Sequence, residues 1–403
     1  MLPKFVRDKF AGVQQPLGRW ILRHILEFIV LSPAILVTWI WLKLRRKEVF
    51  FVGVGTSAIT AFLQVLEPEL RRRMSVEKTL ARLIILNLSK DANSQIRLMY
   101  DRVTTIYGDE ARFRRRIVWW ASTLGQMKLK VVEILEAQND PQWHFGKPVI
   151  SINSEELRRG EEFLRSIGVK PDQKIVCYAT RTASYYDGLK SEGVKLKAQT
   201  IRNPDERVYF EVMRELSRRG YFILRMGKDL SREVPEEYAD FIYDYASKSR
   251  SEFLDVFLLF RSSCLISGAT GIPMFRAIFN LPTVNSDTYR IHENWFKGDI
   301  AICQRVKFLA DNRLATISEM VAMNDQFSDE RYQARLGVAM VKNTAAEILA
   351  AFDEMVAREN GTWVTTPHDE ELQQQYWSLI TETGHHGGRI GAKFLRDNQD
   401  LLR

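Results

Sequence analysis

Two hydrophobic patterns alternate along this chain. Short unbroken apolar runs at Val49 to Val54, Leu83 to Leu88, Ile175 to Ala179, Tyr221 to Met226 and Cys264 to Ser267 have the length and character of strands buried on both faces. Between them lie stretches with helical spacing. One follows the Gly53-Val54-Gly55-Thr56 turn and ends near Arg71-Arg72-Arg73, and others run from Asn93 to Tyr107, from Ser154, from Asp205 to Arg219 with Gly220 as the stop, and from Ser251 to Phe260. A further short strand is expected near Phe241 to Tyr243. Strands that alternate with helices build parallel sheets, so the pattern predicts an α/β protein with two Rossmann-like, doubly wound domains. The Gly53-Gly55 pair resembles part of a dinucleotide fingerprint but lacks its third glycine, and close packing of strand on helix accounts for it equally well.

The most apolar stretch, residues 25 to 42, stands apart from both patterns. It is flanked by Arg19 and Arg23 before and by Lys43, Arg45, Arg46 and Lys47 after, and it contains Glu27 and Pro33. A straight span needs about 20 apolar residues, so this stretch is marginal as one. No small-residue cleavage site follows it, which argues against a removed signal peptide. A membrane-associating helix, or a hairpin that turns at Ser32-Pro33, is expected, with Trp20, Trp39 and Trp41 at the headgroup level. A buried helix of a soluble domain is the competing reading.

Together these features divide the chain into a hydrophobic and basic segment (1–47), a first α/β domain (48–148), a second (149–325) and a helical tail (326–403). The linker between the two domains is expected around Asn139-Asp140-Pro141 and Gly146-Lys147-Pro148. Charge follows the same division. The net charge is +8, yet residues 1 to 130 hold 23 Lys and Arg against 10 Asp and Glu, and the remainder holds 35 against 40. A basic N-terminal third suits an anionic surface, either phospholipid or nucleic acid. The three cysteines, Cys177, Cys264 and Cys303, sit far apart in apolar runs, which indicates neither a disulfide framework nor a zinc cluster and suits a reducing compartment. The six histidines have no metal-ligand spacing.

In an open parallel sheet, ligands bind outside the carboxyl ends of the strands. Here those ends carry Thr180-Arg181, Arg225-Met226-Gly227, Asp244-Tyr245 and Ser267-Gly268-Ala269-Thr270-Gly271. The last is a small, hydroxyl-bearing turn whose N–H groups are candidates to hold a phosphate. Arg181 and Arg225 each follow a hydrophobic strand and are candidates to grip a diphosphate in a bidentate manner. Asp255 is either a helix-face hydrogen-bonding group or a ribose or base contact. No Asp-x-Asp stands at a strand end, so diphosphate charge is expected to be met by arginine, lysine and helix dipoles without a metal.

Several runs now combine into one resemblance: Arg202-Asn203-Pro204-Asp205, Gly220 to Gly227, Asp244-Tyr245-Ala246-Ser247, Ser251 to Asp255, and the Ser267 to Gly271 turn. The chain resembles a family of bacterial glycosyltransferases associated with surface-polysaccharide synthesis, with a GT-B-like fold. The likeness covers roughly residues 150 to 310 and continues faintly through residues 92 to 102 and 389 to 402. It implies a nucleotide-sugar donor bound by the second domain and a glycan or lipid-linked acceptor bound with the first. Carried over by position, the implied donor-binding residues are Arg181, Tyr185, Arg202, Asn203, Arg225, Gly227, Asp255, Ser267, Gly268, Thr270 and Gly271. It implies no cofactor beyond that substrate.

One departure stands out. Thr182 occupies the place where the family pattern has Asp after the first arginine, while Tyr185 is kept. Candidates for the general base are Asp187, Asp205 and Asp299, and the base stays unassigned. The expected function is therefore metal-independent glycosyl transfer at the cytoplasmic face of the inner membrane, and the alternative is a catalytically degenerate membrane scaffold that binds partner enzymes. Nucleic-acid binding through Arg112-Phe113-Arg114-Arg115-Arg116 with Trp119-Trp120 ranks below both, because no nucleic-acid module is recognisable. Oligomeric state is not legible.

Overall fold

A computed structural model describes residues 17–52, 59–87, 91, 93–124, 130–131, 147–181, 200–228, 233–291, 296–323, 330–380 and 387–403. It divides into two compact units, the first formed by residues 1–53, 81–90 and 104–131, the second by 54–80, 91–103 and 132–403. Through residue 131 the described elements are α1 (Leu17–Leu44), β1 (Glu48–Val52), α2 (Ile59–Glu77), β2 (Leu83–Asn87), α3 (Ser94–Asp101), β3 (Thr105–Tyr107), α4 (Arg112–Leu124) and β4 (Lys130–Val131). The Gly53 to Thr56 turn, Tyr185, Asp187, Thr182 and the 139–146 part of the expected linker lie outside the described residues.

The first unit is a parallel sheet in the order β3-β2-β1-β4, overlaid by α1 and α4. Its core joins Leu31, Ile35 and Leu42 of α1 to Val49, Ile84 and Leu86 of the strands and to Ile117, Val118 and Ala121 of α4. Helix α1 runs unbroken through Pro33, so the hairpin expected there does not form. Proline has no N–H to offer the carbonyl four residues back, Ile29. The Ser32 hydroxyl takes that place, donating to the Ile29 carbonyl at 2.8 Å, and the helix passes its proline without losing that acceptor's partner.

The second unit continues with α5 (Ser154–Ser166), β5 (Ile175–Ala179), α6 (Glu206–Arg218), β6 (Phe222–Met226), α7 (Glu252–Arg261), β7 (Cys264–Ser267), α8 (Phe275–Phe279), β8 (Thr283–Thr288), β9 (Ile300–Cys303), β10 (Arg305–Phe308), β11 (Val338–Val341), α9 (Ala345–Glu359), α10 (Pro367–Ser378), β12 (Arg389–Ile390) and α11 (Ala392–Asp397). Six of its strands form one parallel sheet in the order β12-β9-β8-β7-β5-β6, and β10 pairs with β11 antiparallel. Both faces of the sheet are covered, which explains why Ile175 to Ala179 and Cys264 to Ser267 are buried at every position. The strand expected at Phe241 to Tyr243 is reduced to a single parallel bridge between Tyr243 and Leu224.

Helices α2 and α3 belong to this unit by their contacts. Asn93 Nδ2 donates to the Glu252 carbonyl at 3.0 Å, and Glu67 accepts from Arg71 Nε at 2.8 Å, from the Tyr100 hydroxyl at 2.5 Å and from the Val149 N–H at 3.2 Å. Glu67, Arg71 and Tyr100 are almost wholly buried, and the mutual hydrogen bonds are what make that burial tolerable.

Candidate functional site: the carboxyl end of the second sheet

Chain order reverses across the second sheet between β5 and β7, with β6 on one side and β8, β9 and β12 on the other. At such a reversal the crossover helices part and leave a crevice outside the strand ends. The Gly268 N–H spans the gap by donating to the Ala179 carbonyl at 3.0 Å. A cleft of about 360 Å³ opens there, lined by Gly268, Ala269 and Thr270 after β7, by Asn285, Thr288, Tyr289 and Arg290 of β8 and its end, and by Arg202, Pro273, Met274, Phe296 and Asp299.

Two guanidiniums face this cleft. The Arg202 Cζ lies 5.8 Å from the Tyr289 ring centroid and the Arg290 Cζ 5.4 Å from the same ring. Arg202 is also held by its Nε, which donates to the Ala269 carbonyl at 2.9 Å. Asp299, only 1% exposed, is the one carboxylate among the described lining residues, with the Asn285 side-chain amide 3.4 Å from its Oδ2.

A buried polar layer fixes this geometry from below. The Ile201 carbonyl, one residue before Arg202, accepts from Gln304 Nε2 at 3.0 Å and from the Lys342 ammonium. Gln304 Nε2 also donates to the Asp287 carbonyl at 2.7 Å. Asp287 exchanges hydrogen bonds with Asn343 at 2.7 and 2.8 Å and accepts from the Tyr209 hydroxyl at 3.2 Å. Its φ of +53° is a conformation that L residues rarely adopt, and this ring of bonds holds it there, two and three residues before Tyr289 and Arg290. Burial pushes the Asp287 carboxyl up in pKa, against the pull of the Asn343 N–H and the Lys342 charge, and burial likewise lowers the Lys342 ammonium.

The Ser267 to Gly271 turn reaches the cleft, but not as a ring of available N–H donors. The Gly268 N–H is taken by Ala179 and the Thr270 N–H by the Gly268 carbonyl at 2.6 Å, and the turn leads into the 3-10 segment Ile272–Met274 and the short α8. The Ser267 hydroxyl lies 3.1 Å from the Thr270 hydroxyl. Gly268 sits in a tight place, since a Cβ there would lie 3.2 Å from the Tyr209 hydroxyl.

The other expected residues fall elsewhere. Arg225 does not line the cleft. It is 1% exposed and paired with Glu206 at 3.0 Å and with Asp244 at 3.3 Å, so its charge is spent inside the fold. Asp255 accepts from the Tyr245 hydroxyl at 2.9 Å and pairs with Arg250 at 2.7 Å, which makes it a fastener between α7 and the turn before it. Asp205 caps α6 by accepting the Arg207 N–H at 3.1 Å. Gly227 has φ +149°, in the region that favours glycine at the end of β6. Arg181 is partly buried just beyond β5, and the Asn203 side-chain oxygen is buried with no hydrogen-bond partner among the described residues.

Arg290, Tyr289, Gln304 and Asn343 were not singled out by sequence, because β8 carries Asn285, Ser286 and Asp287 and so breaks the apolar-run signature of a central strand. A larger cleft of about 870 Å³ lies beside α6, but Asp205, Glu206, Glu233, Glu236 and Glu237 line it against Arg207. Such a wall repels anions, whereas the β7 to β9 cleft sets two arginines against one carboxylate.

Fold and site together define an α/β protein with an open parallel sheet and a cation-bearing cleft at its topological switch point. No family model and no curated protein sequence matches the chain. Among solved structures it is similar to the glycosyl transferase family 9 protein from Veillonella parvula, with 10% identity, 77% of this chain and 97% of that chain covered, and a TM-score of 0.46. It is similar also to ADP-heptose LPS heptosyltransferase II of E. coli, with 11% identity, 64% and 90% covered, and a TM-score of 0.44. A third is E. coli heptosyltransferase WaaC with ADP, with 12% identity, 64% and 90% covered, and a TM-score of 0.33.

Proposed function

We propose that the cleft binds the diphosphate of a nucleotide-activated sugar and that the protein transfers that sugar to a glycan or lipid-linked acceptor. The observation that carries the reading is the convergence of Arg202 and Arg290 on one ring, Tyr289, at the switch point of a parallel sheet. Guanidiniums there are suited to a diphosphate, because each presents paired donors to phosphate oxygens, and a partly enclosed site strengthens the attraction. Thr270 and Asp299 line the same cleft, and this reading gives them contacts to the donor's phosphates and to a hydroxyl of its sugar or ribose.

In the transfer, the bond between the anomeric carbon and the diphosphate oxygen breaks, the acceptor oxygen bonds to that carbon, and the acceptor's proton passes to a base. The two arginines meet the charge that gathers on the departing nucleoside diphosphate, the role a metal ion fills elsewhere. Metal independence and a place at the cytoplasmic face of the inner membrane belong to the same proposal.

Calorimetry against UDP, GDP and ADP sugars tests it. One of them is expected to bind, with the affinity unchanged by a chelator and weakened in Arg202→Ala and in Arg290→Ala. A folded protein that takes up none of them overturns the reading. Binding without turnover or slow hydrolysis of any donor favours the degenerate scaffold instead, a reading that Thr182 in place of the family's aspartate supports.

A further inference from the structure

Helix α1 is apolar on two opposite sides, and only one of them is used inside the protein. At about 100° per residue, Leu31, Ile35 and Leu42 fall on one stripe, and these are the residues buried against β1, β2 and α4. Leu26, Val30, Val37 and Leu44 fall on the stripe opposite, and they are 53%, 75%, 67% and 78% exposed. Ile29, Leu36 and Ile40 widen the outward face. Among the described helices this is the one long and apolar enough to cross a bilayer, with 17% of the window buried.

We propose that α1 does not cross a membrane but lies in the plane of an anionic one, its outward stripe in the acyl boundary and its inward stripe holding the first unit. The packing of α1 opposes crossing. Core contacts run from Phe28 to Leu42, a length of about 21 Å at 1.5 Å per residue, so one whole side of the helix is occupied by a sheet and by α4. A spanning α1 would carry that open sheet into hydrocarbon, where its edges find no partners, together with the Glu27–Arg116 ion pair at 2.9 Å. Lying flat, the helix immerses only its stripe, by about 5–10 Å.

The choice of lipid follows from charge. Lys43, Arg45 and Arg46 are exposed at the helix's end, and α4 of the same unit presents Arg112, Arg114 and Arg116 at its surface. Trp41, 40% exposed with the Lys47 ammonium 5.6 Å from its ring, is an amphipathic side chain of the interfacial type. A second copy of the chain would cover the apolar stripe but would gain nothing from these cations. The inference stands apart from the sugar-transfer reading and survives its failure.

The test uses the full-length chain and vesicles of phosphatidylcholine with or without phosphatidylglycerol. Binding is expected to be tighter with the anionic lipid and to fall by roughly tenfold or more in Val30→Glu with Val37→Glu. Both side chains are exposed, so circular dichroism should be unchanged. Depth is then read with nitroxides on Leu26→Cys, Val37→Cys and Leu44→Cys, and the three native cysteines are buried and stay unlabelled. Equal, shallow depths are the expected result. A deep Val37 between shallow ends in opposite leaflets overturns the proposal, as does wild-type vesicle binding by the double variant. A concentration-dependent dimer that the double variant dissociates, with no vesicle binding by either form, overturns it in favour of a second copy.

Discussion

Arg225 and Arg202 are the same residue type, both within the motif runs that resemble a sugar-transferase donor site, yet the fold uses them in opposite ways. Arg225 comes from inside β6, 1% exposed, and two carboxylates close on it from Glu206 and Asp244. Arg202 comes from the loop before α6 and reaches the cleft at the β7 to β9 ends, where Arg290 lies near the same Tyr289 ring. An arginine at the carboxyl end of a strand is therefore not a ligand group by position. At Arg225, carboxylates from the same unit claim the guanidinium for the fold.

The comparison breaks most sharply on stability. Arg225→Ala leaves two acidic groups facing a buried gap and is expected to cost about 3–5 kcal/mol, read by chemical denaturation. Arg225→Met combined with Glu206→Gln and Asp244→Asn removes all three charges and should restore part of that loss, since no uncompensated buried charge remains. Arg202→Ala breaks, among its contacts, the hydrogen bond to the Ala269 carbonyl, which is worth about 0.5–1.5 kcal/mol. Comparable losses for the two alanine variants would put Arg202 in the structural class as well.

Ligand affinity should reverse that order. Each cleft arginine contributes a charged hydrogen bond of about 1.5–3 kcal/mol, so Arg202→Ala and Arg290→Ala should each weaken a bound sugar nucleotide roughly 10- to 150-fold. The charge-neutral Arg225 triple variant should bind it as the wild type does. If that variant alone lost the ligand, the acid-lined cleft beside α6 would be the donor site and the reading of the β7 to β9 cleft would fall.

Much of this division was legible in the sequence, and the limits have a physical origin. Ile175 to Ala179 and Cys264 to Ser267 are strands to the residue, and the helices expected at 205–219 and 251–260 form at 206–218 and 252–261, because unbroken apolar runs and capping residues are local signals. Asn93 to Tyr107 was expected as one helix and instead splits into α3 and β3, with Thr105, Ile106 and Tyr107 pairing in parallel with Ile84, Ile85 and Leu86. Three residues of β pairing carry too little periodicity to be seen.

The arginines expected to bind a donor divide along the same line. Glu206 and Asp244 each lie 19 residues from Arg225, and nothing local reveals that they will meet it. Strand β8 was missed because its polar centre is permitted only by partners such as Asn343, 56 residues away from Asp287, and Gln304.

A smaller effect sharpens the site itself. Gly268→Ala places a methyl carbon 3.2 Å from the Tyr209 hydroxyl, which is anchored by Ser286 at 2.7 Å and cannot easily retreat. The expected cost lies toward the lower end of about 1–3 kcal/mol. Adding Tyr209→Phe should remove the clash yet restore stability only in part, because the Asp287 carboxylate loses one of its donors. Full recovery in the double variant would mean that the polar layer under the cleft contributes packing alone.

The smallest expected effect tests the other half of the comparison, an arginine–carboxylate pair on the surface of the same unit. Arg313 grips Glu319 with Nη1 at 2.8 Å and Nη2 at 3.0 Å, and the Thr316 N–H donates to the same carboxylate at 2.8 Å. The Arg313 guanidinium, then the Thr316 N–H, hold the Glu319 carboxyl down at about 2. A carboxylate whose pKa is lowered on folding adds stability above its unfolded value, about 4.3, and loses it as pH falls through the folded one. The denaturation free energy of wild type minus Glu319→Gln should therefore be constant above about pH 5, shrink below pH 4 and vanish near pH 2. With side chains 45% and 38% exposed, water and salt screen the pair, so the constant part should stay below about 1 kcal/mol and decline in high salt. A difference that grows on acidification, or one that matches the loss in Arg225→Ala, would show that burial is not what separates the two arginines.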